Sequence, residues 1–370
     1  MNSLRQLTAT GQSIWLDYIR RDLITSGRLQ RLVEEDGVTG ITSNPTIFAK
    51  ALAGDSEYDS AIRSILRSSP DVDSKTLFER IEIQDLQMAA DVLRPVYDLT
   101  GGDDGYVSIE VSPALAYDTK GSIAEARRLW TEVGRKNLMI KIPATSQGLP
   151  AIEHLIAEGI NVNITLLFSV SQYEDVAEAY LRGIARNPRP REVASVASFF
   201  VSRFDTAVDH ALEEVGTPEA LALRGKTGIT AARLAYRRFR QIFLSPEFEV
   251  LKKERGVRLQ KPLWASTSTK NKAYSDVMYI EGLIGPYTIN SMPPETLDAF
   301  RDHGKVEVSL EKNQIEAQDV IGHLRTMEIN PHSIGQELTD EGVEKFIGSY
   351  DEVIEALSQK RKALARTEAA

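Results

Sequence analysis

The 370-residue chain contains no cysteine. That absence removes disulfide staples, thiol nucleophiles, zinc–thiolate sites and iron–sulfur clusters together. Histidine is scarce as well: His154, His210, His303, His323 and His332 are scattered, with no i, i+4 pair and no HExxH, so no metal centre is expected. No apolar stretch approaches the roughly 20 residues of a membrane span. The opening Met1-Asn-Ser-Leu-Arg-Gln-Leu7 lacks the basic-then-apolar layout of a secretion signal, and a cytoplasmic location is the expectation. Positive charge is outnumbered, 44 Lys and Arg against 53 Asp and Glu, for a net charge of −9. Broad nucleic-acid binding is therefore disfavoured, and an anionic substrate would need a local basic pocket. The glycine fingerprint of dinucleotide-binding sheets is missing too. Gly225-Lys226-Thr227 ends like a phosphate-binding loop, but Ala220 stands where its first glycine belongs and no strand feeds it, so it reads as a turn beside a helix. Asn163-Ile164-Thr165 fits a glycosylation sequon but falls inside an expected core strand.

What the chain does have, at 42% hydrophobic and 26% charged, is enough apolar residue to bury a large core. Short β-favouring runs alternate with amphipathic stretches along most of the length, the pattern of an α/β protein with a parallel sheet. The runs cover 13–17, 40–43, 106–111, 138–142, 162–167, 194–201, 262–266 and 287–290; helical patterns fill 20–35, 75–97, 122–136, 149–158, 171–185 and 204–215. Eight such pairs fit a (β/α)8 TIM barrel better than an open sheet. Two connections are overlong, 49–104 and 215–261, and extra helices are expected in both because structureless loops of that length are uncommon. The basic stretch Arg233-Leu-Ala-Tyr-Arg-Arg-Phe-Arg240 reads as a solvated helix face. From Asp340 onward a polar, charge-rich helix is expected, fraying over 366–370. With no repeat, low-complexity tract or Pro/Gly-rich linker, residues 1–370 read as one catalytic domain with helical insertions.

Four of the apolar runs carry a polar break. Lys141 stands in Asn137-Leu-Met-Ile-Lys-Ile-Pro-Ala144, Asp17 in Ile14-Trp-Leu-Asp-Tyr-Ile19, Glu110 in Tyr106-Val-Ser-Ile-Glu-Val111, and Asn163 in Ile160-Asn-Val-Asn-Ile-Thr-Leu-Leu-Phe168. One break is noise; four suggest strands aiming polar side chains at one place, as a parallel barrel does at its carboxyl end. Lysine is seldom buried without reason. Desolvation disfavours a buried ammonium, and the neutral amine can attack a ketone to form a Schiff base. The alternative is a strand-end lysine whose head reaches solvent.

An amine and two carboxylates on three strands suit aldol chemistry without a metal: a Schiff base draws electrons from the carbonyl carbon, and the carboxylates handle protons. Asn44, in Thr42-Ser-Asn-Pro-Thr46, and Asn163 could hold substrate hydroxyls, or be a turn residue and a satisfied core amide. Arg203 and Lys270 follow the sixth and seventh runs, where barrel loops bind phosphate. Arg203 could instead pair with Asp205 or Asp209.

The segments Gly40-Ile-Thr-Ser-Asn-Pro-Thr-Ile-Phe48, Val107-Ser-Ile-Glu-Val-Ser112, Leu138-Met-Ile-Lys-Ile-Pro-Ala-Thr145, Gly159-Ile-Asn-Val-Asn-Ile-Thr-Leu-Leu-Phe-Ser169, Ala197-Ser-Phe-Phe-Val-Ser-Arg203 and Leu263-Trp-Ala-Ser-Thr267 run in order along the chain. Through them the sequence resembles the transaldolases, in their longer bacterial and plant-like branch. The resemblance implies a cofactor-free enzyme of the pentose phosphate pathway. Its sugar-phosphate reaction moves dihydroxyacetone from sedoheptulose 7-phosphate to glyceraldehyde 3-phosphate, giving erythrose 4-phosphate and fructose 6-phosphate. It further implies Lys141 as the Schiff-base lysine, Asp17 as the acid/base for carbon–carbon cleavage, and Glu110 working through a water with Thr165. Asn44, Asn163 and Ser198 would surround the dihydroxyacetone unit, Phe200 would also bind substrate, and Arg203 with Lys270 would hold phosphate. Better-known members carry Ser-Phe-Arg after Ala-Ser; here the segment is longer, and the serine that helps, Ser266 or Ser268, stays open. Two rival readings are a fructose-6-phosphate aldolase, which usually has Gln at the place of Glu110 and Tyr at that of Phe200, and a non-catalytic sugar-phosphate-binding barrel.

Overall fold

A computed structural model describes residues 2–43, 56–312 and 314–368. Eight parallel strands close on themselves in chain order: β1 Gln12–Leu16, β2 Val38–Thr42, β3 Tyr106–Glu110, β4 Leu138–Pro143, β5 Val162–Leu167, β6 Ser195–Phe200, β7 Gln260–Ala265 and β8 Thr288–Met292. Each strand coincides with one of the eight expected runs to within a few residues, and the fold is the expected (β/α)8 barrel with extra helices. β4, β5 and β6 are buried along their whole length, as strands covered on one face by helices and on the other by the barrel interior must be.

Alternation along the strands separates a filled floor from a polar mouth. Trp15, Tyr106, Met139, Val196 and Ile289 meet near the amino ends. Two residues further along, on the same strand face, stand Asp17, Ser108, Lys141, Ser198 and Ser291. Gly40 belongs to the floor: a Cβ there would lie 2.5 Å from atoms of the Trp15 indole, so only glycine leaves the ring its place.

The helical expectations are met at Thr119–Val133, Gly148–Glu158, Val170–Arg186 and Val201–Val215. The expected 20–35 helix is broken into Arg21–Thr25, Arg28–Arg31 and a π-helical turn Leu32–Asp36, because Gly27 takes a left-handed φ of 72° between the first two. In the described part of the first insertion, helices Asp59–Ser68 and Ser74–Leu99 form, and the second holds Thr227–Phe243 and Pro246–Arg255 with a short turn of helix before them. The basic face of Thr227–Phe243 is tied to its neighbours: Arg238 pairs with Glu174, Arg240 with Glu311, and Arg233 donates to the Gly282 carbonyl.

The tail departs most from expectation. Its helix runs Pro331–Glu368, starting before Asp340, and it is not merely a polar exterior element, since Val343, Val353 and Leu357 are buried. Residues 369 and 370 of the expected frayed end lie outside the described residues.

Candidate active site

The strands deliver their polar residues to one cavity of about 760 Å³ at the carboxyl mouth of the barrel. Asp17, Lys141, Thr165, Ser198, Phe200, Arg203 and Lys270 all line it, together with Thr42, Ser266, Ser268, Ser291 and Phe346.

Lys141 lies within the barrel with only 8% of its surface exposed. Its Nζ is in close ion-pair contact with Glu110 Oε1 and donates to the Ser43 carbonyl at 3.4 Å. The sequence led to a buried amine facing two carboxylates on separate strands, and the structure puts one of them, Glu110, in direct contact with it. The pairing follows from register, because Glu110 and Lys141 are direct neighbours across β3 and β4. Lys141 in turn neighbours Asn163 on β5.

Asp17 follows β1, where its Oδ1 accepts from Thr42 Oγ1 at 2.8 Å, and Thr42 lies 3.3 Å from the Ser291 hydroxyl. Thr165 is buried beside Glu110, its hydroxyl without a protein partner among the described residues. Glu110, Lys141, Thr165, Val343 and Phe346 are among the walls of a second, small space of about 10 Å³, room for about one water. Asn163 is fully buried, donating to Ser108 Oγ at 3.1 Å and accepting from Ser198 Oγ at 2.7 Å. It is thus the satisfied core amide of the alternative reading, and it also orients Ser198 toward the cavity. Asn44 lies outside the described residues.

The cations stand at the rim. Arg203, in the first turn of Val201–Val215, stacks over Phe200 at 5.4 Å from the ring centroid. Burial lowers its pKa, and the charges of Asp17, Glu110 and Glu341 oppose that shift. The expected alternative, pairing with Asp205 or Asp209, is not what forms. Asp205 accepts from Thr227, Gly228 and Tyr279, and Asp209 from Gly225 and Tyr274, so helix 227–243, its approach and the segment after β7 occupy both carboxylates. Lys270 donates to Ser268 Oγ at 2.8 Å, and desolvation with the Arg203 charge lowers its pKa. Ser266, with a left-handed φ of 55°, is paired with Ser202 at 2.9 Å, which leaves Ser268 as the serine beside the lysine.

Sequence reasoning missed four participants. Thr42 and Ser291 end β2 and β8 as the polar breaks end the other strands, and that signal could have found them. The Ser43 carbonyl carries no sequence signal. Phe346 had none either: on a helix, an aromatic of the wall looks like any core residue. Behind the site, on helix Ser74–Leu99, Glu82 is buried; desolvation first, then the charges of Glu110 and Glu79, raise its pKa to about 8.

A closed parallel barrel with a lysine–carboxylate pair inside its carboxyl mouth defines the class. A family-level sequence model described as Transaldolase/Fructose-6-phosphate aldolase matches residues 14–357, and the chain belongs to that family. It is 44% identical over 369 residues to a protein named transaldolase from Mycobacterium ulcerans, covering 98% of both chains. It is 43% identical over 377 residues to one from Trichodesmium erythraeum, with 98% of each covered. With one from Thermobifida fusca the identity is 44% over 367 residues, covering 97% of this chain and 98% of the relative.

Proposed function

We propose that the protein acts as a transaldolase, transferring dihydroxyacetone from sedoheptulose 7-phosphate to glyceraldehyde 3-phosphate through a Schiff base on Lys141. One observation carries the residue assignment: the buried Lys141 amine contacts Glu110 and faces a cavity that also holds Asp17 and the cations Arg203 and Lys270.

The amine must lose its proton to become a nucleophile, and Glu110 is the adjacent acceptor. Lys141 Nζ then adds to C2 of the ketose, and the carbinolamine expels water with a proton returned by Glu110 through the water it would share with Thr165. Asp17, held by Thr42, takes the proton of the C4 hydroxyl. The C3–C4 bond breaks, its electrons moving toward the iminium, so that erythrose 4-phosphate leaves and an enamine stays on the lysine. In the second half C3 attacks the aldehyde of glyceraldehyde 3-phosphate, the new alkoxide takes the Asp17 proton, and hydrolysis of the iminium frees fructose 6-phosphate. Arg203, Lys270 and Ser268 hold the phosphate of either substrate, aided by the amino end of Val201–Val215. Ser198 holds a hydroxyl of the three-carbon unit, with Asn163 behind it, and Phe200 packs beside it; for Asn44 a substrate role rests on the resemblance alone. The proposed location is the cytoplasm, which the use of soluble sugar phosphates supports.

Glu110 and Phe200 favour transfer over release of free dihydroxyacetone. A coupled assay with both sugar phosphates, alongside borohydride trapping with fructose 6-phosphate, tests the reading. Turnover and an adduct mapped to Lys141 are expected. Free dihydroxyacetone equal to total turnover would make the protein an aldolase, and an unmodified lysine would make it a binder.

A further inference from the structure

The long carboxy-terminal helix crosses the barrel mouth, and its path is set at both ends. Near its start, Thr339 Oγ1 accepts from Gln172 at 2.8 Å and shares its proton between the Gly335 carbonyl of its own helix at 2.9 Å and the Leu166 carbonyl at 3.2 Å. Gly342 lies against Leu166, where a Cβ would come within 2.7 Å of its Cδ2. Leu166 itself has a left-handed φ of 62°, and β5 loses register with β6 between Ile164 and Leu167. The strand is therefore distorted where it follows Thr165 and meets the helix. Further on, Tyr350 packs edge-on against Phe78 at 5.6 Å, Lys360 pairs with Asp59 at 3.0 Å, and Arg361 donates to the carbonyls of Pro70 and Val72. Between these anchors the helix lowers one side chain into the large cavity: the Phe346 ring centroid lies 5.6 Å from Lys141 Nζ. Phe346 and Val343 also roof the one-water space beside Glu110 and Thr165.

We propose that Phe346 is a specificity-determining residue: by covering one face of Lys141, between the mouth cavity and the small space beside Glu110 and Thr165, it withholds water from that face, and so directs the covalent intermediate to an aldehyde acceptor rather than to release. This rests on the Schiff-base reading above. Two fates compete for the enamine. In transfer, C3 forms a bond to the acceptor carbon and the carbonyl pair goes to oxygen, which takes the Asp17 proton. In release, C3 takes a proton from water, a hydroxyl adds to the C2 of the resulting iminium as the C=N pair moves to nitrogen, and the carbinolamine collapses to dihydroxyacetone and free lysine. Both fates end with one water hydrolysing an iminium; release differs in needing proton delivery at C3. An apolar ring over the lysine withholds bulk water from that face, while its electron-rich face favours the cationic iminium.

The experiment is the partition of product from fructose 6-phosphate, measured as free dihydroxyacetone against transfer to erythrose 4-phosphate, with borohydride trapping in parallel. Phe346→Ala is expected to form the Lys141 adduct and to raise the release-to-transfer ratio about tenfold or more. Phe346→Leu, which keeps apolar bulk and protects the fold, should raise it only a few fold. Arg361→Ala, which loosens the far end of the same helix, should leave the ratio unchanged. An unaltered ratio in trapping-competent Phe346→Ala and Phe346→Leu overturns the proposal, as does an equal rise in Arg361→Ala, which would assign the effect to helix docking. Absence of an adduct in the unmodified enzyme overturns the Schiff-base reading itself.

Discussion

Lys141 and Glu110 meet because two adjacent strands place them in register, while Asp17 reaches the same space from β1. The division of labour makes separable predictions. Lys141→Ala should reduce turnover and borohydride trapping to background while the circular dichroism stays that of the parent; because Glu110 loses its cation, a lower urea midpoint should accompany it. Asp17→Ala should lower kcat by roughly 10²–10⁴, the usual contribution of a general acid/base, yet still trap on Lys141. Loss of trapping at the same rate as turnover would remove Asp17 from the cleavage step. Glu82 makes a stability prediction. Its carboxyl keeps a proton up to about pH 8 in the native state, whereas in the unfolded chain it ionises near 4.5. Between those values the native state binds more protons, so stability falls as pH rises, by at most about 1.4 kcal/mol per unit. Glu82→Gln removes that slope. Urea midpoints at pH 5 and pH 8 should therefore diverge, with the variant gaining on the parent at the higher pH.

Strands were more legible than helices. A strand in a closed barrel is buried on both faces, so an apolar run with one polar residue near its end is a strong local signature, and Lys141, Glu110, Asp17 and Asn163 could be picked out from it. The segment 20–35 keeps a helical pattern, but Gly27 interrupts it, and periodicity alone does not register a single left-handed residue. The carboxy-terminal helix has a mixed surface because it packs on several elements at once, and only the fold reveals which face is covered. Two substitutions measure these packing claims. Gly40→Ala forces a methyl into the Trp15 ring and should cost about 1–3 kcal/mol, read as a lower urea midpoint. Thr339→Val removes the hydroxyl between Gln172 and the Leu166 carbonyl, for a loss of about 1–3 kcal/mol by the same measurement.

Across the whole molecule a net charge of −9 surrounds a mouth whose rim carries Arg203 and Lys270. The global field repels a sugar phosphate, and the local cations must overcome it at short range. Salt screens exposed charges beyond roughly 8–10 Å, while the half-buried Arg203 is less affected. Screening therefore weakens the long-range repulsion before the local attraction, so the Michaelis constant for the phosphorylated acceptor should fall as ionic strength rises from low values, and Arg203→Ala should raise it at every ionic strength. An unchanged Michaelis constant in Arg203→Ala would remove phosphate capture by this residue.

The order of residues alone carries the eight-run alternation, the strand holding each polar break and the resemblance that names the family. Such information is local, because burial on both faces of a strand and the spacing of its exceptions are properties of a few consecutive residues. Folding in three dimensions was needed to pair Lys141 with Glu110, to turn Asp205 and Asp209 away from Arg203, and to bring Phe346, some 200 positions downstream of Lys141, over the lysine. Those are contacts between segments far apart in the chain, set by barrel closure and by where one long helix can lie across it.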